Sequence, residues 1–122
     1  MQKNVLGTEL KTCSLDPLTG AKRDGYCSYD KRDPGLHIVA AQVTQGFLDF
    51  NKAQGNDLIT PKPQWQFTGL KPGDWWCICM GVWLKSKAAG YPLYINLEAC
   101  DEKVLDYVSL EELKVWDYRN QN

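Results

Sequence analysis

The chain has 122 residues, of which 43% are hydrophobic and 24% are charged. This length and composition are typical of one globular domain with a hydrophobic core, so we predict that residues 1–122 form a single domain. Fourteen Lys and Arg residues against fifteen Asp and Glu residues give a formal net charge of -1, which argues against a nucleic-acid binder because such a protein needs clustered positive charge. The sequence has no apolar run near the roughly 18 residues that cross a bilayer, and its first residues lack the apolar stretch of a secretory signal. We therefore expect a cytoplasmic protein that binds neither membranes nor nucleic acids, and the oligomeric state stays open.

Two long stretches, residues 11–36 and 55–74, are rich in turn signals and show no helical or strand period. We call them the first loop and the second loop. Stretches of this length are commonly functional or disordered. Because both contain aromatic and apolar residues, we expect them to be ordered, to contact each other and to carry the site.

Regular elements fill the rest of the chain, as judged from periodicity and capping signals. Strands are predicted at residues 38–43, 75–80 and 92–97. Helices are predicted between Thr44 and Gly55, at residues 83–89, from Asp101 to residue 107, and from the Ser109 capping box to about residue 118. This order predicts an α+β fold in which a small mixed sheet is flanked by helices and joined by two long ordered irregular loops.

Short segments along the chain resemble a bacterial family called domain of unknown function 2237. They are residues 4–7, 13–14, 16–20, 23–25 with Cys27, His37, 55–58 with 60–61, 69–74 with 76–79, Trp83, 97–99 and 108–114. The most specific is Gly-Leu-Lys-Pro-Gly-Asp at residues 69–74 together with the Cys-x-Cys pair that follows it. The resemblance spans nearly the whole chain but implies no particular activity. It places Cys13 and Cys27 at matching positions in a loop that a staple would stabilise, which favours a metal site.

Five cysteines are the first chemical candidates: Cys13, Cys27, Cys77, Cys79 and Cys100. Their odd number and the expected cytoplasmic location make free thiols or a metal site more plausible than a disulfide framework. The first four could hold a tetrahedral zinc ion. If Cys77 and Cys79 share a strand, however, their Cα atoms lie ~7 Å apart, a distance that does not suit a metal chelate and is near the limit for a disulfide. We predict buried, unreactive thiols, no bond between Cys77 and Cys79, and no stoichiometric zinc.

His37 is the only histidine. Next to Cys77 or Cys79 it would make a thiol nucleophile, and Asp74 could assist it. At the start of an apolar strand, however, it also fits a partly buried histidine that hydrogen-bonds to the backbone. The second interpretation is the simpler one, because a catalytic base needs a geometry that the sequence does not show.

Polar residues of the two loops are candidates for ligand binding: Arg23, Asp24, Asn56 and Asp57. Arg23 could clamp an anion, and Asp57 with Asp74 could form a carboxylate pair or bind a hard cation. The sequence favours turn architecture instead, since Asx side chains bond to nearby backbone in turns.

Three functions therefore compete. The first is a non-catalytic binding or accessory module that uses the two loops to contact a small molecule or a protein. The second is a small thiol-dependent enzyme that uses Cys77 or Cys79 with His37. The third is a zinc-stabilised interaction domain, although no cofactor is favoured.

Overall fold

The fold is α+β, as predicted, in a computed structural model that describes residues 2–120. Its strands are β1 (Val39–Gln42) and β2 (Trp75–Ile78), and its α-helices are α1 (Gln45–Ala53), α2 (Met80–Ala88) and α3 (Leu110–Val115). Short 3-10 helices span Pro63–Trp65, Leu97–Ala99, Glu102–Asp106 and Tyr118–Asn120. None of the helices in residues 2–120 has the length and apolar composition that crossing a bilayer requires.

The sheet is smaller than the sequence predicts. β1 and β2 pair antiparallel, with Val39 opposite Ile78 and Gln42 opposite Trp75. The expected third strand at residues 92–97 is wrong, because this segment makes only isolated bridges at Ile95, one of them to β1. Pro92 has no amide hydrogen to donate, and the Asn96 side chain caps the next 3-10 helix. The chain therefore leaves the sheet after two backbone hydrogen bonds to β1, and no mixed sheet forms among the described residues.

Helix starts follow the capping signals. The Thr44 hydroxyl accepts from the Phe47 amide and begins α1, and the Ser109 hydroxyl accepts from the Glu112 amide and begins α3. The Asp101 carboxylate caps a 3-10 helix instead of the predicted α-helix. β2 ends at Ile78, two residues before the predicted end, and α2 begins three residues early at Met80. Cys79 thus lies at the junction of a strand and a helix.

The hydrophobic core contains side chains from α1, α2, both strands and the 93–113 segment. Phe47 and Trp83 are fully buried. The Trp83 indole donates to the Leu93 carbonyl over 3.1 Å, which satisfies its polar atom inside the core. Between the helices, the buried Asn51 amide donates to the Ser86 hydroxyl over 3.2 Å.

A disulfide joins Cys27 of the first loop to Cys77 of β2. The expectation that the chain would have no disulfide was therefore wrong. These two residues are 50 positions apart, so only the fold shows that they meet. Cys13, Cys79 and Cys100 are free thiols. The narrower prediction, that Cys77 and Cys79 do not bond to each other, is confirmed.

We expect three thiols to titrate in protein that is denatured without reductant, and five after reduction. Reduction should lower the free energy of unfolding by about 2–4 kcal/mol, because the crosslink restricts the unfolded chain. Denaturant unfolding of the oxidised and reduced protein measures this difference. A Cys79→Ser control should lose one free thiol and keep the full effect of reduction. Five thiols before reduction, or a different pair in non-reducing peptide mapping, would contradict the assignment.

Candidate functional site

The two loops face each other across an open cleft of about 300 Å³. Both contribute to its lining, as does β2; the lining residues are Thr19, Gly20, Ala21, Arg23, His37, Asn56, Asp57, Leu58, Lys62, Trp65, Phe67, Trp76 and Cys77. The expectation that the loops are ordered and lie together agrees with this arrangement. A smaller recess of about 60 Å³ adjoins the cleft, shares His37 and Asn56 with it and reaches Cys79.

Arg23 supplies the positive charge on the wall formed by the first loop. Its backbone has a φ of 55° in the turn between Gly20 and Gly25, a conformation that non-glycine residues seldom adopt. The guanidinium donates to the Leu18 carbonyl over 3.3 Å and lies 5.4 Å from the centre of the Trp76 ring. Cation–π attraction of this kind holds a long side chain over the cleft instead of leaving it free in water.

Lys62 supplies the charge on the opposite wall. Its ammonium donates to the Asp57 carbonyl over 3.2 Å and lies 5.7 Å from the centre of the Trp65 ring. The Lys62 and Phe67 backbones bond to each other in both directions, which closes the loop tip around the 3-10 helix. Trp65 is 64% exposed, so most of its indole surface is accessible to a ligand in the cleft.

His37 lies at the inner end of the cleft, between Asp33 and Cys79. Its Nδ1 atom is 3.0 Å from both carboxylate oxygens of Asp33. Cys79 lines the same recess as this imidazole, and its interaction with the ring is the main cause that raises the pKa of His37 to about 9; partial burial opposes this shift, and Asp33 adds to it. Because Nδ1 is engaged by Asp33, Nε2 is the nitrogen available to Cys79. The three side chains form a Cys–His–Asp series.

Asp33 is fixed by a turn of its own making. Its carboxylate accepts from the Gly35 amide over 3.2 Å and from the His37 amide over 2.9 Å. Burial alone would raise the pKa of Asp33, but the hydrogen bonds from His37 and Gly35 outweigh it and hold the pKa below its usual value. An ionised carboxylate on Nδ1 keeps the proton on that nitrogen and orients the ring.

Cys79 is the N-cap residue of α2, and its side chain makes no capping hydrogen bond to the helix. The Cys79 carbonyl accepts the first helical bond, from Trp83, and the Met80 amide donates to the Leu36 carbonyl over 2.9 Å. The first N–H groups of a helix have no partner inside it, and their partial positive charge favours an anion.

A second group of cysteines links the first loop to β2. The sulfur atoms of Cys13, Cys27 and Cys77 lie within 4.8 Å of one another, a spacing that a metal ion could span. Two of these sulfurs share a disulfide bond, so in this state the group offers one thiol and does not fit a zinc ion, which needs several thiolates. Burial, with a smaller contribution from Cys100, raises the pKa of Cys13 to about 12. The prediction of no zinc stays a prediction.

The structure brings some of the remaining sequence candidates to the cleft and not others. Asn56 and Asp57 line it. Asp24 accepts from the Tyr26 amide over 3.1 Å and lies in a separate depression. Asp74 accepts from the Lys71 amide over 3.0 Å in the turn before β2. Asp24 and Asp74 thus have the turn roles that the sequence favours, while Cys77 is in the disulfide.

Two residues of the site were missed by sequence reasoning: Asp33 and Lys62. For Asp33 there was a signal, because an aspartate four residues before a histidine, with Pro-Gly between them, can turn its carboxylate onto that histidine. Lys62 carries no comparable signal, since a proline-rich loop does not reveal which side chains face inward.

The pKa of His37 is directly measurable, because the chain has one histidine. We expect NMR titration to give a value near 9 in the native protein and lower values in Cys79→Ser and Asp33→Asn variants, since each removes a hydrogen bond that favours the imidazolium. The stability gained from these contacts should be complete below the unfolded-state pKa of about 6.5. It should disappear as the pH rises through 9, so the stability difference between wild type and His37→Gln narrows there.

If the pKa of His37 is about 6.5 in the wild type and does not change in either variant, His37 does not interact with Cys79 and Asp33 in the way described. A Lys114→Gln variant on α3 serves as the matched control and should leave the titration of His37 unchanged.

Residues 3–117 match the sequence profile of a family described as uncharacterized protein conserved in bacteria, DUF2237. The match covers the strands, the helices, both loops and every residue of the Cys–His–Asp series. It confirms the resemblance found in the short segments of the sequence. No curated protein matches the chain.

Proposed function

For this chain, which belongs to the DUF2237 family, we propose thiol-dependent covalent catalysis: Cys79 is the nucleophile, His37 is its base, and Asp33 positions His37. One observation carries the proposal, namely that Cys79 and His37 line the same recess while the Nδ1 atom of His37 lies 3.0 Å from the Asp33 carboxylate. Nucleophile, base and orienting group in this order are the usual parts of an activated nucleophile.

The free thiols of the chain differ in a way that supports Cys79. Burial raises the pKa of both Cys13 and Cys100 to about 12, so these thiols stay protonated and react poorly. Cys79 is partly exposed, faces a histidine and begins a helix. Cys77, the other sequence candidate, has no free thiol. Among the cysteines of the described chain, Cys79 has the surroundings that a nucleophile needs.

Acyl transfer is the reaction class that fits these parts. The reacting form of the pair is a Cys79 thiolate beside a protonated His37, because the pKa of His37 is raised to about 9. The sulfur attacks a substrate carbonyl carbon, and a tetrahedral oxyanion forms. The oxyanion can accept hydrogen bonds from the first-turn amides of α2 at Gly81 and Val82. When the oxyanion collapses, the bond to the leaving group breaks, and the leaving group takes the proton from His37. Water, deprotonated by His37, then releases the acyl group from Cys79.

A non-catalytic binding module is the second candidate, and the open cleft between the loops favours it. In that function Arg23, Lys62 and the two cleft tryptophans would hold a partner, and the Cys79–His37 contact would only fasten the first loop to α2. Reactivity of Cys79 distinguishes the two candidates, because a purely structural thiol gains nothing from the histidine.

We expect iodoacetamide to alkylate Cys79 in the native protein near neutral pH well before Cys13 or Cys100, as peptide mass mapping would show. His37→Gln should lower the rate at least about tenfold near neutral pH and move the rate profile to higher pH, and Asp33→Asn should do so less. Cys13→Ser is the matched control and should leave the Cys79 rate unchanged. Equal rates in wild type and His37→Gln would refute activation by the histidine.

The acyl step has its own assay. Incubation with p-nitrophenyl acetate should add one acetyl group to Cys79, seen by intact mass, and a Cys79→Ser variant should not acquire it at that position. If alkylation shows an activated Cys79 but no acyl group is transferred, the nucleophile stands and the reaction class is wrong.

A further inference from the structure

We propose that the cleft recognises a small organic anion with a flat aromatic or apolar body, for which a ring-bearing carboxylate is the simplest form. Arg23 and Lys62 would hold the carboxylate, and Trp65 and Trp76 would pack against the ring. This inference rests on the proposed function, because it names the substrate class of the same site.

Charge is the first argument. Two cationic side chains, Arg23 and Lys62, line the cleft together with the single carboxylate of Asp57. The third protonatable group of the lining, His37, is already paired with Asp33. The Asp57 carboxylate is already satisfied by its own loop, since it accepts from the Ile59 amide over 2.9 Å and the Thr60 amide over 3.0 Å. Among the described residues Arg23 and Lys62 form no ion pair, so their positive charge suits an anionic ligand.

Apolar surface is the second argument. Each cation lies beside an indole, Arg23 with Trp76 and Lys62 with Trp65. Phe67 packs edge-on against Trp76, with ring centres 5.4 Å apart, and fixes that indole. A simple inorganic anion would contact the two cationic groups but would make no contact with the aromatic rings. A ligand with a ring contacts both, and its planar face can stack on an indole.

Position is the third argument. His37 belongs to the lining of the cleft and also to that of the recess that reaches Cys79. A ligand held at the outer cleft by Arg23 and Lys62 can thus extend an electrophilic group inward to the thiol. Remote binding groups that fix a substrate in this way raise the rate at the reacting atom.

The indole N–H signals of Trp65 and Trp76 in ¹⁵N-labelled protein report binding, once Trp→Phe variants have assigned them. We expect indole-3-acetate to shift both signals saturably and to leave the buried Trp83 signal in place. Tryptamine, which has the same ring with the opposite charge, should not do so. Arg23→Gln and Lys62→Gln should each weaken binding about tenfold, as expected for loss of one charged hydrogen bond. Lys114→Gln, on α3, should have no effect.

Tryptamine binding as tightly as indole-3-acetate, or the absence of any shift, would overturn the proposal. Inorganic phosphate producing the same shifts as indole-3-acetate would also overturn it, because the rings would then contribute nothing. The same titration on Cys79→Ser separates the two proposals, since we expect binding to survive there. If indole-3-acetate binds but Cys79 is not activated, only the proposed catalysis is contradicted. If Cys79 is activated but indole-3-acetate does not bind, only this substrate class is contradicted.

Discussion

Residue 77 is the point at which the first loop is fastened to the sheet, and the geometry of the site depends on it. The Cys77 sulfur is bonded to Cys27, and the Cys77 amide donates to the Thr19 hydroxyl over 2.9 Å. Cys27 and Thr19 are both completely buried. A covalent bond and a buried hydrogen bond at one strand position thus fix both sides of the turn that carries Arg23. Without them this wall of the cleft would be a turn-rich segment with little secondary structure to hold it.

The second loop is held by different means. The Asp57 carboxylate accepts hydrogen bonds from two backbone amides, those of Ile59 and Thr60. Gly69 lets the chain pass close to Ile59, because a Cβ atom at residue 69 would lie 2.2 Å from the Ile59 carbonyl oxygen. The Gly69 φ of 83° is also one that favours glycine. Local polar turns and one close backbone contact therefore do for this loop what the disulfide does for the first. Both walls are built before any ligand arrives, so binding need not order them.

Local signals in the sequence predicted local structure well, and failed where distant residues meet. The caps at Thr44 and Ser109 and the turn roles of Asp24 and Asp74 follow from side chains that bond within three residues. The Cys27–Cys77 disulfide joins positions 50 residues apart, and an odd cysteine count argued against it. The predicted strand at residues 75–80 is two residues too long, because Cys79 and Met80 are apolar enough for a buried strand. The start of α2 gives no capping signal in the sequence, since the Cys79 side chain makes no capping hydrogen bond.

That error concealed the main feature of the site. On a continuous strand Cys77 and Cys79 would face the same way and share one environment. Because β2 ends at Ile78, the chain turns between the two, so that Cys77 is buried in the disulfide and Cys79 faces His37 at the start of α2. The two cysteines of the Cys-x-Cys pair thus differ: Cys77 is structural, and Cys79 is a partly exposed free thiol. The structural sulfur holds the loop that forms the cleft, and the free one lies where the cleft ends, so this short segment couples the shape of the pocket to its chemistry.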